Sequence, residues 1–228
     1  MWTQPDQFLR ALLKLTALTE IMNAKIRFER RILSSIDDSI TVKQRLLRDS
    51  ALTSLIARVS EVCLQALRRG NKLLLFGNGG SAADTQHIAT EIVGRFAFER
   101  PALPALALSV DTSSLTAVSN DYGFDHAFSR QIEAFGRKGD VALGFSTSGN
   151  SRNVLRAIAS AKKKKLHTIA FTGKSGGKLK HSSSLDHCVC VPSNVTARIQ
   201  ECHLLIGHII CELVEEEIFH APGRLSRP

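Results

Sequence analysis

The sequence predicts an α/β fold, in which one five-stranded parallel sheet is flanked by helices and preceded by an N-terminal helical extension. Three observations carry this. After Gly70, short apolar runs alternate with segments of helical period. The runs are apolar throughout rather than at every second residue, as strands buried on both faces require. Two of the runs end in turns rich in Gly, Ser, Thr and Asn, each followed directly by a helix, as in units where helices cross over between parallel strands.

Up to about Gly70 the chain reads as helix. Leu52, Leu55, Ile56, Val59, Val62, Cys63 and Leu67 recur at helical spacing, and Arg68-Arg69-Gly70 supplies cations and then glycine at the stop. The five strands are expected at Lys72–Phe76, Ala105–Val110, Asp140–Phe145, His167–Thr172 and His187–Val191. Helices are expected from Ser81, from Ser151 through Ala161, and from Thr196 to about Phe219. This gives an extension at residues 1–39, an α/β domain at 40–220 and a loose tail at 221–228, where two prolines and a glycine discourage regular structure. Residues 1–21 have no evident place, and Met22 offers an alternative start.

The 228 residues are enough to bury a core, and a 43% hydrophobic, 22% charged composition is ordinary for a soluble globular chain. The apolar stretch Phe8–Met22 is interrupted by Arg10, Lys14 and Glu20 and lacks a small-residue cleavage site, which argues against a signal peptide or a membrane span and for the cytoplasm. Cys63, Cys188, Cys190, Cys202 and Cys211 are odd in number and form no CxxC pair, so buried free thiols are expected. The net charge of +9 suits an anionic partner. Its densest run, Lys162–Lys165, ends a helix and has no interleaved aromatic residues, so a solvated helix end is expected rather than a nucleic-acid surface.

The turns Gly77-Asn78-Gly79-Gly80-Ser81 and Ser146-Thr147-Ser148-Gly149-Asn150-Ser151 lie at strand ends, where ligands bind in open α/β sheets. Glycine allows close backbone approach, hydroxyls donate hydrogen bonds, and the following helix N-termini present free N–H groups, so the pair suits a phosphate. Neither matches a Walker loop or the GxGxxG dinucleotide pattern. The helix after the first turn carries His87 and Glu91 on one face, four residues apart, and the last helix carries Gln200 and His208 on one face, with His203 rotated away. Two imidazoles, a carboxylate and an amide oxygen could hold a zinc-like ion. Taken alone, a His-x-x-x-Glu pair is also a common surface pair, and a histidine in an apolar helix is also a common core residue.

These segments, together with His87-Ile88-Ala89-Thr90-Glu91-Ile92-Val93-Gly94-Arg95, Asn120-Asp121-Tyr122-Gly123-Phe124, Thr172-Gly173-Lys174 and Arg198-Ile199-Gln200-Glu201, resemble the phosphoheptose isomerases of the sugar-isomerase (SIS) family, in order, from about residue 40 to about 219. The resemblance implies a flavodoxin-like sheet and a homotetramer with active sites between subunits. It implies conversion of sedoheptulose 7-phosphate to D-glycero-D-manno-heptose 7-phosphate, a precursor of lipopolysaccharide or other surface glycans. Glu91 and His208 would be the acid–base pair. His87, Glu91, Gln200 and His208 would bind one zinc. Asn78, Gly79, Gly80, Ser81, Glu91, Asn120, Asp121 and Gln200 would contact the sugar, and Ser146, Thr147, Ser148 and Ser151 the phosphate.

The same family contains a regulator that binds the bacterial replication initiator, similar around Ser151-Arg152-Asn153 and Phe98-Glu99-Arg100-Pro101. That branch typically replaces the acid and the last histidine, and this chain keeps both. Isomerases of other sugar phosphates share the fold, and fold does not fix substrate.

Overall fold

The computed structural model describes residues 4–219. Helices α1 (Gln4–Arg48) and α2 (Ser50–Arg68) precede β1 (Leu73–Gly77). Then follow α3 (Gly80–Val93), β2 (Ala105–Ala107), α4 (Thr112–Tyr122), α5 (Ser129–Phe135), β3 (Val141–Phe145) and α6 (Arg152–Lys163). The chain closes with β4 (His167–Gly173), α7 (Gly177–Lys180), β5 (His187–Val191) and α8 (Thr196–Phe219). Two compact units emerge from this, residues 1–41 and 42–228. The expected tail at 221–228 lies outside the described residues, as do the side chains of most of residues 1–21. Among the described residues no helix is long and apolar enough to cross a membrane.

The strands form one parallel sheet in the order β2-β1-β3-β4-β5. Successive side chains of a strand point to opposite faces, so each strand feeds two cores. Leu73 and Leu75 of β1 join Val59, Cys63, Ile88, Ile92, Ile206, Ile210 and Val214 on the face covered by α2, α3 and α8. Leu74 and Phe76 join Ile132, Val154, Ile158 and Leu179 on the face covered by α5, α6 and α7. Burial on both faces is why the strands read as unbroken apolar runs.

The expected second strand, Ala105–Val110, is shorter than the sequence suggests. β2 is the edge strand and pairs only with β1, over Leu73↔Ala105 to Leu75↔Ala107. One further bond, Leu108 N–H to the Leu75 carbonyl, precedes Asp111, whose carboxylate caps α4 by accepting from Ser114 N–H. β5 is the other edge, and this corrects part of the cysteine expectation. Cys63, Cys202 and Cys211 are buried, but Cys188 and Cys190 are only half-buried. Burial pushes the Cys63 and Cys211 thiols up to about 12, so they stay protonated and unreactive. The lysine run closes α6: Lys162 pairs with Asp186, and Lys164 donates to the Glu133 carbonyl.

The contact between α3 and α8 positions the site. It is tight because residue 207 is glycine: a Cβ there would lie 2.4 Å from Ile88 Cδ1 and 2.7 Å from Cγ1. Gly207→Ala is expected to destabilise the protein. Overpacking costs about 1–3 kcal/mol, against a helix-propensity gain of about 1 kcal/mol. Urea melts of Gly207→Ala beside Gly207→Ala/Ile88→Ala check this, with the second change recovering part of the loss. An increase in stability on Gly207→Ala alone would contradict the packing account.

Candidate active site

In the strand order 2-1-3-4-5 the direction of travel reverses between β1 and β3, and the crevice at the carboxyl ends of those two strands is where open α/β sheets bind ligands. Both sequence-predicted loops lie there, residues 77–80 after β1 and 146–151 after β3. They are tied together by a reciprocal amide pair. Asn78 Nδ2 donates to Asn153 Oδ1 at 2.9 Å, and Asn153 Nδ2 donates to Asn78 Oδ1 at 2.8 Å. Asn153 is buried and was not singled out by spacing, because its partner lies 75 residues away.

In the second loop Ser146 and Ser151 share a hydrogen bond of 2.9 Å, and Ser148 Oγ accepts from Asn150 N–H. Gly149 has φ +66°, and a Cβ on it would fall 1.9 Å from the Gly176 carbonyl oxygen, so this turn closes only with glycine. Thr147 and Ser148 remain partly exposed, with hydroxyls available to a ligand. In the first loop Gly79 and Gly80 are exposed, and Ser81 is buried at the start of α3. A Cβ on Gly80 would lie 2.3 Å from Gln200 Nε2, so the Gln200 amide packs directly on the loop backbone. Asn120 and Asp121 are exposed at the C-terminal end of α4, where the Asn120 amide donates to Asp121.

Further along the same two helices, His87, Glu91 and His208 converge. Their ligand atoms all lie within 4.8 Å of one another. His87 Nε2 is 2.9 Å from His208 Nε2 and 3.4 Å from Glu91 Oε1. Tetrahedral zinc with bonds of about 2.0–2.1 Å sets neighbouring donor atoms roughly 3.4 Å apart; the His87–Glu91 spacing matches this, and the two imidazole nitrogens, at 2.9 Å, would part slightly to share such an ion. The Phe96 ring packs on His208 with centroids 5.7 Å apart. Gln200 stands apart from this trio, against Gly80. It lies two helical turns before His208, about 12 Å of rise along α8. Within one protomer the expected zinc quartet is therefore divided into three and one.

Two titratable groups nearby went unassigned in the sequence. Asp84, one turn before His87, has a buried oxygen without a hydrogen-bond partner; burial pushes its carboxyl up to about 6, and the neighbouring His87 opposes the rise. His203 faces away from the trio, as its helical position predicts. It is buried edge-on against the stacked Phe145 and Phe171 rings, and its Nε2 lies 3.0 Å from the Thr172 carbonyl. Burial lowers its pKa to about 4, against a smaller raising effect of the Thr172 contact. The folded pKa lies below the ordinary value of about 6.5, so the unfolded chain takes the proton first. Stability from this group is full above pH 6.5 and is lost as pH falls toward 4, by about 2–3 kcal/mol at pH 4.5. Urea melts in chelator at pH 7 and 4.5 are expected to differ less in His203→Gln, which keeps a donor for Thr172. An equal pH effect in both proteins would contradict the assignment.

The SIS domain matches residues 39–173. A phosphoheptose isomerase of Aneurinibacillus thermoaerophilus is 53% identical over 188 residues, covering 82% of this chain and 94% of the relative. The chain belongs to the phosphoheptose isomerase family of SIS-domain proteins. Phosphoheptose isomerase 2 of Campylobacter jejuni is likewise 53% identical, over 182 residues, covering 80% of this chain and 90% of that relative. The structure of a phosphoheptose isomerase from Neisseria gonorrhoeae superposes with a TM-score of 0.77 at 43% identity, covering 83% of this chain and 99% of the other.

Proposed function

We propose that this protein is a cytoplasmic aldose–ketose isomerase that converts sedoheptulose 7-phosphate to D-glycero-D-manno-heptose 7-phosphate, a precursor of lipopolysaccharide or other surface glycans. It acts as a homotetramer with one zinc ion per site. Membership of the phosphoheptose isomerase family makes it a sugar-phosphate isomerase. The observation that carries the chemistry is the meeting of Glu91 and His208, from helices far apart in the chain, in one cluster with His87. That meeting also weighs against the replication-regulator reading, which has no use for a carboxylate and two imidazoles held together.

Moving a carbonyl from C2 to C1 requires removal of a proton beside it and return of one to the neighbouring carbon. Glu91 and His208 are the residues able to hold and release those protons. The serine-rich loop and the backbone N–H groups at the start of α6 grip the phosphate and keep the open-chain sugar in reacting geometry. His87, Glu91 and His208 would hold the metal, with the Gln200 amide supplied at the same site. When bound, the ion contributes Lewis-acid polarisation of the substrate oxygens.

The separation of the two half-sites supports placement of the active site between subunits. From Gly80 to Glu91 the helix rises about 16 Å, so the loops and the trio of one protomer lie at different levels of α3. Exposed apolar residues on α1, among them Ile26, Leu33, Ile36 and Ile40, likewise suit burial against other copies.

The test is turnover of sedoheptulose 7-phosphate by purified protein, before and after dialysis against a chelator. Activity is expected, with loss on chelation and recovery on adding zinc. Absence of turnover in the zinc-loaded protein would overturn the reading, and activity indifferent to chelation would remove the metal from it.

A further inference from the structure

We propose that the buried ion pair between Arg100 and Glu215 is a positioning device for the acid–base site, fixing Phe96 against His208 and holding the end of α3 that carries Glu91. The inference rests on the reading of Glu91 and His208 as the reacting pair. Arg100 Nε lies 2.7 Å from Glu215 Oε1, and each side chain is only 1% exposed. Glu215 stands two turns after His208 on α8. Its carboxylate also accepts the N–H groups of Phe96, at 2.8 Å, and Ala97, at 2.6 Å. Arg100 Nη2 donates to the Glu91 carbonyl at 2.8 Å.

Four backbone groups therefore converge on one ion pair, the fourth being the Pro101 carbonyl, which accepts from Arg100 Nη1 at 3.0 Å. The Glu91 carbonyl lies in the last turn of α3, where carbonyls lack helical N–H partners and a cation is favoured. The amides of Phe96 and Ala97 begin the segment that crosses from α3 toward Arg100, and they set where the Phe96 ring rests on His208. Burial alone would raise the Glu215 carboxyl, but the two amides and Arg100 outweigh it and hold it below the ordinary range, so it is ionised at neutral pH.

The attraction between the two charges does not by itself explain the pair. Buried ion pairs are costly to desolvate, and apolar residues of similar volume commonly serve as well or better. An apolar pair cannot bind the Phe96 and Ala97 amides and the Glu91 carbonyl at once. The ion pair joins the two helices that carry the reacting groups, and it seats the aromatic wall beside one of them.

The experiment compares the wild type with Arg100→Met/Glu215→Leu, which leaves no lone buried charge, and with Phe96→Ala, which leaves the ion pair intact. The double variant is expected to fold but to melt below the wild type, because the Phe96 and Ala97 amides and the Glu91 carbonyl lose their partners, with kcat lowered about tenfold or more, KM for sedoheptulose 7-phosphate changed far less, and zinc affinity in chelator competition lowered about tenfold. Phe96→Ala is expected to lower kcat in the same sense. A folded double variant with unchanged kcat and zinc affinity would show a merely structural ion pair and overturn the proposal. Should the double variant not fold, unchanged kcat in Phe96→Ala overturns it and a lowered kcat supports it. Should the wild type itself fail to turn over the sugar, the isomerase reading fails separately. A crystal structure of the double variant then decides: Phe96 displaced from His208 supports the clamp, and Phe96 in place overturns it.

Discussion

Glu91→Gln is expected to lower turnover of sedoheptulose 7-phosphate about 10²–10⁴-fold, the range in which a positioned acid–base group acts, without unfolding the protein. Glutamine has nearly the same shape as glutamate and a similar helix propensity, so α3 has no reason to rearrange. Glu91 lies on the partly exposed rim of the cluster, its side chain 23% exposed, so no deeply buried contact is lost. What disappears is the capacity to take and return a proton, together with one anionic donor of the trio. Zinc affinity is expected to fall alongside, because an amide oxygen is a weaker ligand than a carboxylate. Steady-state kinetics and metal analysis check both. Turnover within about threefold of wild type would remove Glu91 from the reaction, since the smallest acid–base contribution considered is about a hundredfold. His208→Gln is expected to behave similarly, for the same reason at the other end of the proton path.

Mixing two inactive variants is expected to restore activity. Ser148→Asp sets a carboxylate in the loop proposed to hold the phosphate, where like charges would repel the substrate. Glu91→Gln leaves that loop intact and disables the trio. If each active site takes its loop from one protomer and its trio from another, oligomers assembled from both variants contain some sites with two undamaged halves. With random assembly in equal amounts, about one site in four is complete, a half chance for each component in a closed symmetric oligomer. Co-expression with two affinity tags and sequential purification isolates the mixed species. A mixture no more active than the sum of its parts would place loop and trio in the same protomer and end the intersubunit reading. The expectation follows from helix length, because Gln200 at Gly80 and His208 at His87 sit two turns apart on α8.

The spacing of single residues carried much of the fold. Apolar runs at Leu73–Phe76, Val141–Phe145 and Ile169–Phe171 identified strands buried on both faces, because such strands have no solvent side to mark with polar residues. The same logic weakened at the edges. β2 ends at Ala107 although its apolar texture runs to Val110, and Cys188 and Cys190 are half-buried on β5, since an edge strand has a partner on one side only.

The site divides along the same line. His87 with Glu91, and Gln200 with His208, were legible as helical faces, and the Gly- and Ser-rich turns as loops between a strand end and a helix start, because each depends on contacts within a few residues. That His87, Glu91 and His208 meet while Gln200 rests on Gly80 depends on how α3 and α8 lie together, which Gly207 against Ile88 determines. The Asn78–Asn153 bridge and the Arg100–Glu215 clamp leave no periodic trace at all, since their partners are separated by 75 and 115 residues. Local spacing fixes which side chains share a face. Only the packing of distant segments, governed by side-chain volume and by buried hydrogen bonds that must find partners, decides which faces meet.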